Sequence, residues 1–227
     1  MATQLGFDLP VRPALGRDDF LVAPSNAVAL AMMDDWPNWA KHKLALTGPA
    51  GAGKTHLTHV WADATGARIV AARDLAGTDI EDLSRTPVAV EDVDEIATDA
   101  AAQTALFHLH NLMAAAAVPL LMTGTAPPRH WALSLPDLQS RVDAAGHARL
   151  DPPDDTLLAA VLAKLFADRQ LVPKPDVIPY LLNHMDRSFA AARDMVSALD
   201  ASSLAQKRAL TRAFAAQVLD NAPKGAE

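Results

Sequence analysis

The sequence predicts an α/β fold: a five-stranded parallel sheet with crossover helices, followed by a smaller all-helical unit. Three observations predict it. Short apolar runs alternate with helical stretches over roughly 18–150, the pattern of βαβ units. A glycine-rich loop joins the first such run to a helical stretch. After Asp151-Pro152-Pro153 the chain carries helical periodicity alone to about 220.

The strands fall at 43–47, 68–71, 88–91, 120–123 and 148–150. Each is a short run that is apolar on both faces, as expected of buried parallel strands. Between them, 54–64 and 99–116 have helical period, with Leu106, Leu109, Leu112 and Met113 on one face. Further helices are expected at 154–168, 176–184, 188–201 and 203–219. Leu157, Leu158, Val161, Leu162 and Leu165 form the apolar stripe of the first. The resulting division is a flexible leader over 1–17, an α/β unit over 18–152, a helical unit over 153–220 and a tail over 221–227. A bundle of ~70 residues has little core of its own and is expected to pack on the sheet unit.

Composition narrows the function. Half of the 227 residues are hydrophobic and 21% are charged, the balance of an ordinary globular chain. Twenty basic residues against 27 acidic ones give a net charge of −7, which supplies no footprint for direct DNA binding. There is no cysteine, hence no disulfide or thiolate metal site. The longest apolar run, 112–122, contains Pro119 and is too short to span a bilayer. The first ten residues lack the basic and apolar regions of a signal peptide. A cytoplasmic protein without a membrane partner is expected.

Gly48-Pro49-Ala50-Gly51-Ala52-Gly53-Lys54-Thr55 reads G-x-x-x-x-G-K-T, between a strand and a helix, the context this phosphate-binding motif requires. Its glycines let successive N–H groups turn inward at a helix N-terminus, where anions are favoured. Lys54 is expected on the β- and γ-phosphates of ADP or ATP, and the Thr55 hydroxyl on Mg²⁺; His56 follows directly. The metal-side carboxylates should leave the end of a later buried strand, and 87–95 delivers Glu91, Asp92, Asp94 and Glu95 there. The strand at 68–71 implies an added strand between the phosphate loop and this acidic strand, as in the additional-strand branch of P-loop ATPases. Strand 120–123 runs into Thr123-Gly124-Thr125, where such ATPases place a polar sensor. The eight histidines show no metal-ligand spacing and read as structural or surface residues.

In this order, with Leu135-Pro-Asp-Leu-Gln-Ser-Arg141-Val and Leu150-Asp-Pro-Pro-Asp154 following, the motifs resemble the AAA+ module of the bacterial replication initiator DnaA. The likeness extends to Phe20-Leu-Val-Ala-Pro-Ser-Asn26-Ala and Ala190-Ala-Ala-Arg193-Asp-Met-Val-Ser-Ala-Leu199, covering about 18–200. The initiator's C-terminal helix-turn-helix DNA-binding unit has no counterpart in this sequence. Gln4-Leu5-Gly6-Phe7-Asp8-Leu9 is similar to the peptide that docks on the DNA polymerase III β sliding clamp; Gln4, Leu5, Phe7 and Leu9 are its anchors. The combination resembles the Hda (HdaA) family of DnaA-related regulators, whose members act with the DNA-loaded clamp to make DnaA hydrolyse its ATP and so prevent re-initiation.

That resemblance implies an arginine finger at Arg141 acting in trans, a phosphate-reading "sensor 2" at Arg193, and adenine contacts from Val22 and Asn26. It implies catalytic roles for Asp92 and Thr125, metal contacts for Thr55, Glu91 and Asp92, and DnaA and the clamp as partners. Glu91 stands where the family pattern has Asp, and Thr125 replaces the initiator's acidic sensor. Mg²⁺ demands near-ideal octahedral geometry, so both departures point to weak self-hydrolysis with ADP as a structural ligand. Two other readings are an ATP-driven motor such as a helicase loader and a clamp adaptor for another client. Self-association into a homo-oligomer is left open.

Overall fold

The computed structural model describes residues 20–206 and 208–221. The clamp-like peptide at Gln4–Leu9 and the tail beyond 221 lie outside them. The described residues open with α1 (Ala27–Asp34) and continue through β1 (Lys43–Thr47), α2 (Lys54–Thr65), β2 (Arg68–Ala71) and the short α3 (Ile80–Leu83). Then come β3 (Val88–Glu91), α4 (Ala100–Ala115), β4 (Leu120–Gly124), α5 (Pro136–Asp143) and β5 (Gly146–Arg149). The helical unit is α6 (Asp155–Asp168), α7 (Val177–His184), α8 (Phe189–Gln206) and α9 (Arg212–Asn221).

All strand pairs are parallel, in the order β2-β3-β4-β1-β5. The strand inserted between the phosphate-loop strand β1 and the acidic strand β3 is therefore β4. This corrects the expectation for 68–71: β2 intervenes in sequence but lies at the sheet edge. Its burial follows from that place, with Arg68 exposed and the rest half-buried. The other edge strand, β5, starts and ends earlier than the expected 148–150, because its pairing with β1 begins at Leu44–Gly146. At an edge only Ala148 is buried, so an apolar run is a poor guide to its limits.

Side chains alternate across the pleat and feed two apolar layers. Ala45, Val88, Val90, Leu120 and Met122 pack with Leu106, Leu109, Leu138 and Val142 from α4 and α5. Leu44, Leu46, Ala89 and Leu121 pack with Phe20, Leu30, Met33, Leu57 and Trp61 on the other face. The helical unit has a third cluster, built on Leu158, Leu162, Phe166, Leu181, Val196 and Phe214. The helical unit thus has a core of its own, where only a limited one was expected. The expected break between 201 and 203 is absent, and α8 runs unbroken to Gln206.

Side-chain caps mark the starts of α4 and α6. Asp99 accepts from the N–H groups of Ala101 and Ala102 at α4, and Asp154 accepts from Leu157 at α6. Each cap satisfies donors that the first turn leaves open.

Candidate functional site

Parallel strands place all five C-terminal ends on one sheet edge, and the phosphate loop leaves β1 there. Gly51 and Gly53 have φ of +73° and +100°, conformations that other residues adopt only with strain. A Cβ on Gly48 would stand 2.7 Å from the Leu150 carbonyl oxygen, so the loop's first position is also closed to side chains. Gly53 caps α2, which aims the helix N-terminus into the loop.

Lys54 is buried. Its ammonium donates to the carbonyls of Gly48 at 2.7 Å and Pro49 at 3.2 Å. The side chain is therefore curled over the hollow that phosphates fill in this motif. Burial lowers its pKa, while Asp92, Asp94 and Glu91 oppose the shift.

Thr55 and Glu91 meet: the threonine hydroxyl hydrogen-bonds the Glu91 carboxyl. Burial, ahead of every other cause, raises the Glu91 pKa; Thr55 opposes it and Asp92 adds to it. Asp92 sits in the left-handed region (φ 57°, ψ 50°), and its N–H donates to the Thr123 hydroxyl at 3.0 Å. A hydroxyl and adjacent carboxylates beside a phosphate loop are oxygen donors of the kind Mg²⁺ takes together with nucleotide phosphates. No cluster of three histidine, cysteine or acidic side chains among the described residues suits a metal on protein ligands alone. The donor set therefore fits a metal that arrives with a nucleotide.

Thr125 donates both its N–H, at 2.8 Å, and its hydroxyl to Asp94 Oδ2. The sensor candidate is thus locked to the acidic turn after β3, a link that no local motif announces. The other Asp94 oxygen is buried without a hydrogen-bond partner.

Asn26 and Val22 lie on the segment entering α1. Asn26 is buried and spends its side chain on that segment, accepting from Ala23 N–H at 2.9 Å and donating to the Leu21 carbonyl at 2.8 Å. Val22 is 61% exposed beside it. Sequence reasoning missed the aromatic contacts of the loop. Phe20 stacks edge-on against His56 (centroids 5.3 Å apart), and Phe189 of α8 stands 3.3 Å from where a Gly53 Cβ would be. The helical unit is also bonded here, with Phe189 N–H donating to the Gly51 carbonyl at 2.9 Å. Arg193 is exposed, four residues after Phe189 on α8. Residues at that spacing share a helix face, which puts Arg193 on the phosphate-loop side.

Arg141 does not join this group. It lies in the last turn of α5, just before β5 enters the sheet at its N-terminal edge. Its guanidinium rests 4.9 Å above the Phe107 ring. Burial lowers the pKa of Lys43, the first residue of β1, and the nearby Arg141, followed by Lys41, adds to the shift. At ~3.3 Å per residue, β1 alone separates Lys43 from the phosphate loop by roughly 13 Å. Arg141 and the chain's own phosphate loop thus occupy opposite sheet edges.

Residues 155–219 match the family described as Hda, lid domain. Domain III of the Thermotoga maritima initiator DnaA superposes with a TM-score of 0.79 at 17% identity, covering 94% of this chain and 98% of that one. The chain has the AAA+ fold of these DnaA modules, and its helical unit matches the Hda lid family. The AMPPCP-bound DnaA of Aquifex aeolicus is similar with a TM-score of 0.70 and 16% identity, over 86% of this chain and 70% of that one. The AAA domain of FIGL-1 in complex with ADP follows at 0.66 and 12%, over 89% and 81%. Two of these structurally similar proteins carry adenine nucleotides. Among the described residues no helix is long and apolar enough to cross a membrane.

Proposed function

We propose that this chain is a nucleotide-bound AAA+ regulator of replication initiation that stimulates ATP hydrolysis by DnaA. In this reading the leader docks on the DNA polymerase III β sliding clamp and Arg141 enters the DnaA nucleotide site. The observation that carries the reading is the separation of Arg141 from the chain's own phosphate loop, in a protein whose lid matches the Hda family. A guanidinium at the far sheet edge serves a neighbour's phosphates, not its own.

ADP or ATP would occupy the loop of Gly48 to Thr55, where Lys54, now on the Gly48 and Pro49 carbonyls, would turn to phosphate oxygens. Mg²⁺, when bound, neutralises phosphate charge. Thr55 and Glu91 would hold it, with Asp92 adjacent. Arg193 approaches the phosphates from the lid, and Phe20, Val22 and Asn26 border the nucleoside side. Turnover by this site is slow. Glu91 is half-buried and its pKa is raised, which weakens it as a metal-side carboxylate, and Thr125 is already committed to Asp94. The motor reading would need a competent hydrolytic pair here.

The clamp part of the reading is tested by changing Gln4, Leu5 and Phe7 together to Ala. Binding to immobilised clamp should be lost while ADP affinity stays as in wild type. Undiminished clamp binding would remove the leader from the account.

A further inference from the structure

At the sheet edge away from the phosphate loop lies a cavity of about 230 Å³, lined by Lys41, Lys43, His110, Ser140, Arg141 and three alanines. Its basic groups come from three places in the chain: the turn into β1, the middle of α4 and the end of α5. Lys43 is 2% exposed and His110 is 5% exposed. The Lys43 ammonium donates to the Lys41 carbonyl at 3.3 Å, a long bond that leaves most of its donor capacity free. Neither His110 ring nitrogen has a hydrogen-bond partner. None of the described lining residues carries a carboxylate.

Such an arrangement is unfavourable while it stands alone. Buried polar groups without partners cost free energy, and like charges sharing a cavity add to it. The strain is visible in both side chain and backbone. His110 is pushed down to about 4 by burial, with Lys43, Arg141 and Lys41 adding to the shift. Lys41 and His42 both adopt positive φ, 54° and 58°, where non-glycine residues are uncommon and functional sites are over-represented.

We propose that this cavity is a second phosphate site, separate from the loop of Gly48 to Thr55, that binds a phosphate dianion between Lys41, Lys43, Arg141 and His110. A dianion answers three facing cationic side chains better than a single carboxylate does. Its tetrahedral oxygens accept from several directions at once, including the His110 ring and the Ser140 hydroxyl. Phe107 holds the Arg141 guanidinium from the outer side. The site does not depend on Arg141 reaching a partner's nucleotide, and it stands or falls separately from that role.

The readout is the His110 ring itself, followed by NMR in the full chain saturated with ADP and assigned with His110→Gln. Inorganic phosphate, added at constant ionic strength against chloride, should move the His110 resonances saturably and raise the pH at which the ring protonates. Lys41→Ala, at an exposed position, should weaken the apparent affinity by ~10-fold or more, the loss expected for one charged hydrogen bond. Glycerol phosphate in place of inorganic phosphate distinguishes the sources. Equal binding assigns the site to phosphate monoesters, and binding of inorganic phosphate alone assigns it to the free anion. Absence of a saturable shift, a shift matched by chloride, or tighter binding of acetate than of phosphate would overturn the proposal.

Discussion

The main-chain N–H of Phe189 donates to the carbonyl of Gly51 at 2.9 Å, tying the first residue of the lid helix to the middle of the phosphate loop. Ser188 completes the contact, because a Cβ on Gly51 would meet its Cβ at 2.7 Å. Nucleotide site and lid angle are therefore coupled through backbone, and a change in the loop is felt at α8.

Gly51→Ala tests that coupling. The new methyl group strikes Ser188, and φ +73° adds ~1–2 kcal/mol of left-handed strain. The nucleotide-free variant should melt several degrees lower, at ~2–4 °C per kcal/mol for a chain of this size. Adding Ser188→Gly should restore part of the loss by removing the clash while leaving the strain. No recovery in the double variant would place the damage in the loop alone.

Glu91 sets the second expectation. Steady-state ATP turnover should fall well below the ~1–10³ s⁻¹ common for enzymes, and Lys54→Ala should abolish what remains. Glu91→Gln should leave ADP binding without metal intact and remove the gain that Mg²⁺ gives, both read by calorimetry. Brisk, Lys54-dependent turnover in the wild type would favour a motor.

His110 gives a pH dependence with a defined sign. Its folded pKa is lowered to about 4 from 6.5, so between these values the unfolded chain binds the proton and the folded one does not. Stability is then present in full above about pH 6.5 and is lost as pH falls towards 4. At ~1.4 kcal/mol per unit the loss approaches ~3 kcal/mol. Urea unfolding at pH 7 and pH 4.5 should show a smaller difference in His110→Gln than in wild type. An identical difference would mean that His110 protonates freely in the fold.

Much of this was legible in sequence, for physical reasons that differ by element. β1, β3 and β4 are buried on both faces, so their apolar runs mark them within a residue. The phosphate loop is a local motif, and its partners Thr55 and Glu91 do meet. Sheet order is not local: that β4 enters between β1 and β3, leaving β2 at the edge, depends on crossovers no run of residues records. The same holds for the site's outer parts. No local signal brings Phe20 or Phe189 to the loop, and nothing near Thr125 announces Asp94. Lys41, Lys43, His110 and Arg141 are scattered over a hundred residues and become a cluster only in the fold.

The most direct test of the central claim is the decay of ATP bound to the cognate DnaA, with this protein added in ADP and with or without DNA-loaded clamp. Clamp-dependent acceleration is expected, and Arg141→Ala should remove it while retaining fold and ADP binding. Fingers supplied in trans are worth ~10³–10⁵ in rate. No acceleration despite demonstrated clamp binding, or full acceleration by Arg141→Ala, would contradict the account.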